Sequence, residues 1–407
     1  MNKILFKNIK GLVQCGENNN SLVGGVKMAQ ISTLKNAFLA LENREIVAYG
    51  PMEKWENLAD FDVIDAEGKY ILPAFCDSHT HSIFAKTREE EFVDRIKGLS
   101  YEEIALKGGG ILNSARALQG ISEDILFEHA KIRIEKIINC GTGALEIKSG
   151  YGLNVEAELK MLRVINRLKQ HFQIPIRATL LAAHAFPLEY KENHRGYIDL
   201  IINKIIPEVQ KEQLADYIDV FCERNYFSVE EMEEILSAGI KAGLKPKVHV
   251  NQFSSFGGIQ KACEMKALTV DHLEEITDED IRVLKNSKTL PVFLPGCSHF
   301  LSIPFSNARR FISENIPFAL ASDFNPGSTP CYNLSTIWSL ACMKMKLTPE
   351  EALHALTINA AYAMGLQDSH GSISIGKKPG LILTKEIPSL AYIPYSFGEN
   401  CIERVFI

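Results

Sequence analysis

The sequence predicts an α/β fold, a (β/α)8 TIM barrel with a small β-sandwich domain built from both termini. In the middle of the chain, short apolar runs alternate with longer helical patterns, as in repeated βαβ units. Both flanks instead have the composition of short strands. A length of 407 residues suits one large barrel with an added domain. We therefore expect the barrel at 70–371, and the small domain at 1–69 plus 372–407.

Eight segments have the composition of barrel strands. Each is a short run rich in apolar and β-branched residues, bounded by polar or turn residues. They are 70–76, 142–148, 176–183, 216–222, 246–250, 267–271, 289–294 and 317–322. The carboxyl ends of parallel barrel strands meet around one mouth, so the residues that follow these segments are expected to face one another.

Helical signals fill the intervals between these segments. An apolar face with spacings of three and four covers 159–172. Ser228 and Glu231 have the spacing of a capping box that begins a helix. A threonine, a proline and a glutamate begin a predicted helix over 348–365.

Short β-rich runs occupy both flanks. They lie at 4–6, 37–41, 46–49 and 63–66, and again at 372–373, 381–383 and 402–407. These runs are the basis of the predicted domain from both termini.

Composition and charge exclude several classes of protein. The chain is 46% hydrophobic and 23% charged with a net charge of −6, and it has no basic stripe, so we expect no nucleic-acid partner. No apolar run approaches the roughly 18 residues that span a bilayer, so we expect no membrane partner. Nine cysteines without a Cys-x-x-Cys pair or a secretion signal favour free thiols and a cytoplasmic protein.

His79 and His81 follow the first predicted barrel strand. Because strand side chains alternate, the two imidazoles point to the same side and form half of a metal site. The alternative is one hydrogen-bonded core histidine and one loop histidine.

The other strand ends supply the missing ligands. Six of the 11 histidines fall at these ends, at positions 79, 81, 184, 249, 272 and 299. Three imidazoles and one carboxylate would surround one divalent ion and leave a position for water, which suits zinc and tolerates iron or manganese. That set is His79, His81, His249 and Asp323. Taken singly, Asp323 could be a turn cap and His249 a core histidine.

His272 would crowd this mononuclear site as a fifth ligand. Beside the metal it could instead polarise a carbonyl or carry a proton, and we expect that role. A second metal would need another bridging acid or a modified lysine, and the fourth strand offers only Asp219, Cys222 and Glu223.

These residues lie in motifs that resemble the amidohydrolase superfamily, namely the His-x-His pair, the histidine after strand five and the aspartate after strand eight. Finer motifs resemble the branch that opens an imidazolone ring, and the similarity covers about 66–367. The finer motifs lie at 88–92, 108–111, 146–153, 182–185, 249–252, 271–273, 294–296 and 323–328.

The resemblance implies hydrolysis of 4-imidazolone-5-propanoate to N-formimidoyl-L-glutamate in histidine degradation, by a water activated on zinc or iron. The expected catalytic residues are His272, which would polarise the carbonyl, and Asp323, which would pass the proton of water to the leaving nitrogen. A small anionic substrate would contact Arg88, Tyr151, His184, Gln252, Asn325, Gly327 and Ser328. The resemblance also implies a homodimer.

Two positions depart from the family pattern. Gln252 stands where some members have glutamate, and an amide cannot act as a general base. Gly380 stands where the superfamily usually has aspartate, which affects only the small domain.

Two other functions compete with ring opening. A deaminase of a cyclic amidine would keep the metal ligands but would not need an anion pocket, and it would release ammonia. A catalytically dead barrel that acts as a binding module would have lost ligands, whereas this chain keeps the full set.

Overall fold

The computed structural model describes residues 3–16, 22–55, 60–99, 103–104 and 108–407. Among the helices of these ranges, none has the length and apolar character required to cross a membrane.

The chain begins with five strands of a terminal sheet. They are β1 (Lys3–Val13), β2 (Thr33–Glu42), β3 (Glu45–Pro51), β4 (Asp62–Asp65) and β5 (Lys69–Pro73). β1 pairs antiparallel with β2, and its other edge pairs in parallel with β4 and then β5. Asn43 and Arg44 turn β2 into β3 with φ of 51° and 71°, the left-handed backbone that tight hairpins require.

Eight parallel strands form the barrel, and each pairs with its neighbour in chain order. They are β6 (Phe75–Asp77), β7 (Thr142–Lys148), β8 (Ile176–Ala183), β9 (Tyr217–Cys222), β10 (Lys245–Val250), β11 (Thr269–His272), β12 (Leu290–Phe293) and β13 (Ala319–Leu320). Beyond β6 and β13, the His81 N–H donates to the Phe324 carbonyl (2.8 Å) and the Asp323 N–H donates to the His79 carbonyl (3.0 Å). These bonds join the first and last strands, and the predicted barrel is confirmed.

The strand predicted at 70–76 is divided between the two sheets. β5 pairs with β1 and with β14 (Leu381–Glu386), whereas only Phe75–Asp77 pairs with β7. Pro73 ends β5 because it has no N–H to continue the ladder. The Ala74 N–H then donates to the Gly380 carbonyl (3.1 Å) and the Phe75 N–H to the Gly141 carbonyl (2.9 Å), so pairing passes from the terminal sheet to the barrel.

β15 (Ile402–Phe406) pairs with β14 and completes a seven-stranded terminal sheet. The apolar side chains of this sheet form a core of their own, in which the rings of Phe6 and Phe406 meet edge to face with centroids 4.9 Å apart. The expected small β domain from both termini is therefore present, and its strands join in one continuous sheet.

Fifteen α-helices have both ends within the described residues. They are α1 (Glu89–Ile96), α2 (Ile111–Gly120), α3 (Glu123–Asn139), α4 (Val155–His171), α5 (His194–Leu200), α6 (Ile206–Glu212), α7 (Val229–Lys241), α8 (Gly258–Glu264), α9 (Asp278–Lys285), α10 (Pro295–Leu301), α11 (Ala308–Ser313), α12 (Leu334–Met345), α13 (Pro349–Leu356), α14 (Ile358–Ala363) and α15 (Tyr392–Tyr395).

The capping boxes at Ser228 and Thr348 are both present. The prediction of a single helix over 348–365 is wrong. The segment forms two helices, α13 and α14, which are separated at Thr357, where φ is −125° and ψ is −87°. The Thr357 hydroxyl contacts the Leu353 carbonyl and Gln14 Oε1 (2.9 Å), so this helix break is held against β1.

Candidate active site

The four predicted metal ligands meet at the barrel mouth. His79 and His81 follow β6, His249 lies in β10, and Asp323 follows β13. Asp323 Oδ1 lies 3.5 Å from both His79 Nε2 and His81 Nε2, and the Nε2 atoms of His81 and His249 are 3.4 Å apart. All four side chains are buried.

This donor set fits a divalent metal ion. Ligands about 2.1 Å from a tetrahedral ion lie about 3.4 Å from one another, which matches the separations of the four donor atoms. His79 Nε2 is buried and makes no hydrogen bond with the described residues. It is therefore available as a ligand.

Two buried carboxylates fix the orientation of two imidazoles. Asp271 Oδ2 lies 2.6 Å from His79 Nδ1, and Asp219 Oδ2 lies 2.9 Å from His249 Nδ1. A carboxylate at Nδ1 holds the proton there and leaves the Nε2 lone pair for a metal. Burial also lowers the pKa of His79 and His81 well below the usual range, and that of His249 to about 4. The imidazoles are therefore neutral, as metal ligands must be.

A fully buried charge network lies beneath these ligands. Lys148 Nζ lies 2.7 Å from Glu146 Oε1, 2.8 Å from Asp219 Oδ2 and 3.7 Å from Asp271 Oδ2. Lys247 pairs with the other oxygen of Glu146. Burial alone would lower the pKa of Lys148, but Asp219 and Glu146 together raise it above its usual value. Lys148 is therefore a permanent cation that contacts the carboxylates holding His79 and His249.

A pocket opens above the four ligands. It is lined by His81, Arg88, Ile111, Tyr151, His184, Phe221, Tyr226, His249, Gln252, Phe253, His272, Leu301, Asp323, Asn325 and Ser328. Of the predicted substrate residues, only Gly327 is absent from this lining.

His299 is exposed on α10, away from the strand-end position expected from the sequence, because residues 295–301 are helical.

Arg88 brings a buried cation to the pocket. Its Nε lies 3.4 Å from Glu91 Oε2, but neither Nε nor Nη1 makes a hydrogen bond to the described residues. Gly327 provides the space for this guanidinium, since a Cβ at Gly327 would overlap it. A buried guanidinium that still has free N–H groups is a strong site for a carboxylate.

The turn after Asp323 is organised by Asn325. Its Oδ1 accepts the N–H groups of Gly327 (2.8 Å) and Ser328 (2.7 Å), and its Nδ2 donates to the Ser328 hydroxyl (2.7 Å). The two backbone N–H groups thus stabilise the turn, and the side chains of Asn325 and Ser328 face the pocket.

Tyr151 and His184 form one wall of the pocket. His184 stacks on His81 with ring centroids 5.1 Å apart, and its Nδ1 lies 3.1 Å from the Gly150 carbonyl. The loop that carries Tyr151 is held by Glu158 of α4, which accepts the N–H groups of residues 150, 152 and 153 at 2.7–3.1 Å. On the opposite side, Gln252 Nε2 donates to Cys297 Sγ at 3.3 Å.

His272 lines the pocket at the end of β11. Burial alone would lower its pKa, but Glu274 and neighbouring acids raise it above the usual value. Burial raises the pKa of Asp323 to about 6. An imidazole and a carboxyl group whose pKa values are both raised therefore line one pocket, and both kinds of group can transfer protons.

Sequence reasoning missed the roles of Asp219, Asp271 and Glu158. Asp219 has a signal in the sequence, since it is an acid inside an otherwise apolar strand, where an unpaired charge is too costly to bury. Asp271 has a weaker one, as an acid at the end of a predicted barrel strand. Glu158 has no comparable signal, because an acid in the first turn of a helix is common.

A sequence model described as the amidohydrolase family matches residues 70–407 of this chain. The chain belongs to the amidohydrolase family. Enzymes of this family are metal-dependent, which agrees with the histidine cluster at the mouth.

Relatives within the family place the chain more narrowly. The imidazolonepropionase of Flavobacterium johnsoniae is 57% identical over 403 residues, covering 99% of this chain and 98% of the relative. That of Christiangramia forsetii is 53% identical, covering 99% and 98%. At this identity and coverage, the chain is a member of the imidazolonepropionase group of the amidohydrolase family.

Solved structures of amidohydrolase fold share the architecture. A guanine deaminase from C. acetobutylicum superimposes with a TM-score of 0.71 at 15% identity, covering 100% of this chain and 98% of the other. A triazine hydrolase variant gives 0.77 at 13% identity, covering 100% and 93%. These similarities establish the fold alone.

Proposed function

We propose that this chain hydrolyses 4-imidazolone-5-propanoate to N-formimidoyl-L-glutamate, using a metal held by His79, His81, His249 and Asp323. The observation that carries this proposal is the buried Arg88 guanidinium in the same pocket as the ligand cluster, whose Nε and Nη1 make no hydrogen bond to the described residues. The propanoate carboxylate of the substrate matches that cation. The names of relatives at 53–57% identity support the same reaction.

The donor set supports one divalent ion, zinc or iron. When bound, such an ion supplies Lewis-acid chemistry and lowers the pKa of water to about 7, which provides hydroxide at neutral pH. His79 and His249, oriented by Asp271 and Asp219, would hold it together with His81 and Asp323.

Ring opening requires one proton to move. The oxygen of water bonds to the ring carbonyl carbon, the carbon–nitrogen bond breaks, and the proton of the water ends on the ring nitrogen that leaves. Asp323 would accept this proton and return it to the nitrogen, and His272 would stabilise the charge that develops on the carbonyl oxygen.

The remaining pocket residues would bind and orient the substrate. Arg88 would pair with its carboxylate, while Tyr151, His184 and Gln252 would form hydrogen bonds to the polar ring. Asn325 and Ser328 face the pocket beside Arg88, and Gly327 leaves room for the guanidinium. Gln252 serves recognition only, because an amide does not carry protons between groups.

The test is an assay of purified protein with freshly generated imidazolonepropanoate, following loss of its ultraviolet absorbance alongside metal analysis. We expect about one divalent ion per chain, ring opening without ammonia, and loss of turnover on chelation. His249→Ala and Asp323→Ala should abolish turnover in soluble protein, while His299→Ala, a change of an exposed histidine, should not.

Ammonia release would instead indicate a deaminase, and turnover by metal-free His249→Ala protein would contradict the mechanism. The homodimer, the cytoplasmic location and the absence of a nucleic-acid partner stay predictions from the sequence.

A further inference from the structure

A buried acid lies directly behind His272. Glu274 Oε1 and Oε2 lie 3.5 and 3.4 Å from His272 Nδ1, so the nitrogen faces the middle of the carboxylate. The Ser298 hydroxyl of α10 donates to Glu274 Oε1 at 3.1 Å. The three side chains form a chain of polar contacts that ends at the pocket, which His272 lines.

We propose that Glu274, oriented by Ser298, is the positioning residue of His272 in the ring-opening reaction. This inference rests on the proposed function. Glu274 holds the His272 proton on Nδ1, which leaves Nε2 as the nitrogen that acts on the substrate.

Burial gives this contact its energetic weight. The side chain of Glu274 is fully buried, and that of His272 is 4% exposed. Within the described residues, the hydrogen bonds to the Glu274 carboxylate come from His272 and Ser298. A buried carboxylate with so few partners is held in place by them, so its contact with Nδ1 fixes the orientation of the imidazole.

The backbone is distorted at the same place. His272 and Leu273 have φ of 92° and 60°, two successive left-handed residues without glycine. Such conformations cost energy and persist where the surrounding contacts enforce them. The Ser306 hydroxyl donates to the His272 carbonyl at 2.9 Å and helps to hold this turn. In this turn the side chains of His272 and Glu274 lie in contact.

Glu274 does not contact the substrate pocket directly, since it is absent from the pocket lining. It therefore acts through His272, in the same way that a carboxylate behind a catalytic imidazole fixes its tautomer and orientation. With Nδ1 held by Glu274, Nε2 is the nitrogen left to act at the ring carbonyl as negative charge develops on its oxygen.

The same cluster has a second chemical interpretation. Donor atoms of His272, Glu274 and Cys297 lie within 4.8 Å of one another and could hold a metal ion. Cys297 Sγ, however, accepts a hydrogen bond from Gln252 Nε2, and Glu274 already accepts one from Ser298. The positioning role uses these contacts as they stand, whereas a metal would have to replace them.

The experiment compares Glu274→Gln, Glu274→Asp and the matched control Glu275→Gln in metal-loaded protein. Glu275 is the neighbouring acid but is exposed. We expect Glu274→Gln to lower kcat by about 100-fold or more, because the amide has no charge and can favour the other tautomer. KM, the metal content and the thermal unfolding midpoint should stay at wild-type values. Glu274→Asp keeps the charge and should lose less kcat, and Glu275→Gln should match the wild type.

A failure of this positioning role can be told apart from a failure of the proposed function, because the latter would leave even the wild-type protein without turnover. If the wild type is active and Glu274→Gln has the same kcat, the positioning role is excluded. A larger loss in Glu274→Asp than in Glu274→Gln would show that side-chain length matters and charge does not, which also overturns it. Two metal ions per wild-type chain and one in Glu274→Gln would make Glu274 a ligand instead.

Discussion

Gly327 offers a direct test of the anion pocket, because this residue has no side chain with which to bind anything. A Cβ at this position would overlap the Arg88 guanidinium, with Arg88 Nε 2.5 Å away. The φ of Gly327 is not left-handed, so alanine is compatible with the backbone. Gly327→Ala should therefore act only by displacing the Arg88 head group.

The size of the effect follows from the lost contact. A hydrogen bond to a charged group contributes about 1.5–3 kcal/mol, which corresponds to about 10- to 150-fold in affinity. We expect Gly327→Ala to raise KM by this factor, as Arg88→Met should. Because both changes remove one interaction, the double variant should be little worse than either single variant.

Steady-state kinetics with imidazolonepropanoate measures these changes, with metal content determined on the same samples. Gly120→Ala is the control, since a Cβ there has no atom within 4 Å. An unchanged KM in Gly327→Ala would refute the assignment of Arg88 to the substrate carboxylate. Fully additive effects in the double variant would show that Gly327 acts by another route.

Two predictions concern stability. Lys148→Met leaves buried carboxylates without their cation and should lower the free energy of unfolding by about 3–5 kcal/mol, measured by chemical denaturation. The control Lys211→Met removes an exposed ion pair of 2.9 Å and should leave the denaturation midpoint nearly unchanged. Equal effects of the two changes would contradict the burial argument. Burial lowers the pKa of His370 to about 4, so the unfolded chain binds more protons between about pH 4 and 6.5 and stability is lost as the pH falls through that range. The free energy of unfolding of the wild type should therefore exceed that of His370→Gln by an amount that grows by about 3 kcal/mol from pH 4 to 6.5. His129→Gln, a change of an exposed histidine, is the control. A difference between wild type and His370→Gln that does not depend on pH would contradict this reasoning.

Local patterns predicted most of the barrel. The segments 142–148 and 176–183 match β7 and β8 to the residue, because a buried parallel strand is a short, mainly apolar run between turn residues and helical patterns. The segment 70–76 contained two such strands in succession, and its apolar run did not reveal that Pro73 separates them. The division depends on pairing with β1 and β14, which are distant in the sequence.

The site was predictable to the extent that strand ends identify it. His79, His81, His249 and Asp323 each follow or end a barrel strand, and the closure of the barrel brings them together whatever the loops between them do. Their partners were not predictable in the same way. Asp271 is 192 residues from His79, and this contact follows from side-chain geometry across the mouth.

The rigid and variable parts of this site have different tasks. The ligand cluster and its charge network belong to β6, β7, β9, β10, β11 and the extension of β13, so their geometry is fixed by strand pairing. Arg88, Tyr151 and Asn325 belong to loops. Arg88 fits the space left by Gly327, Glu158 holds the loop of Tyr151, and Asn325 is held by its own turn at 325–328. A change at Arg88 can therefore alter which molecule is bound while the strands that carry the proposed metal ligands stay the same. The turn at 325–328 is different, because Asn325 Nδ2 donates to the Asp323 carbonyl at 2.7 Å. Solved structures at 12–15% identity share the barrel, whereas Arg88, on a loop, carries the proposed choice of substrate.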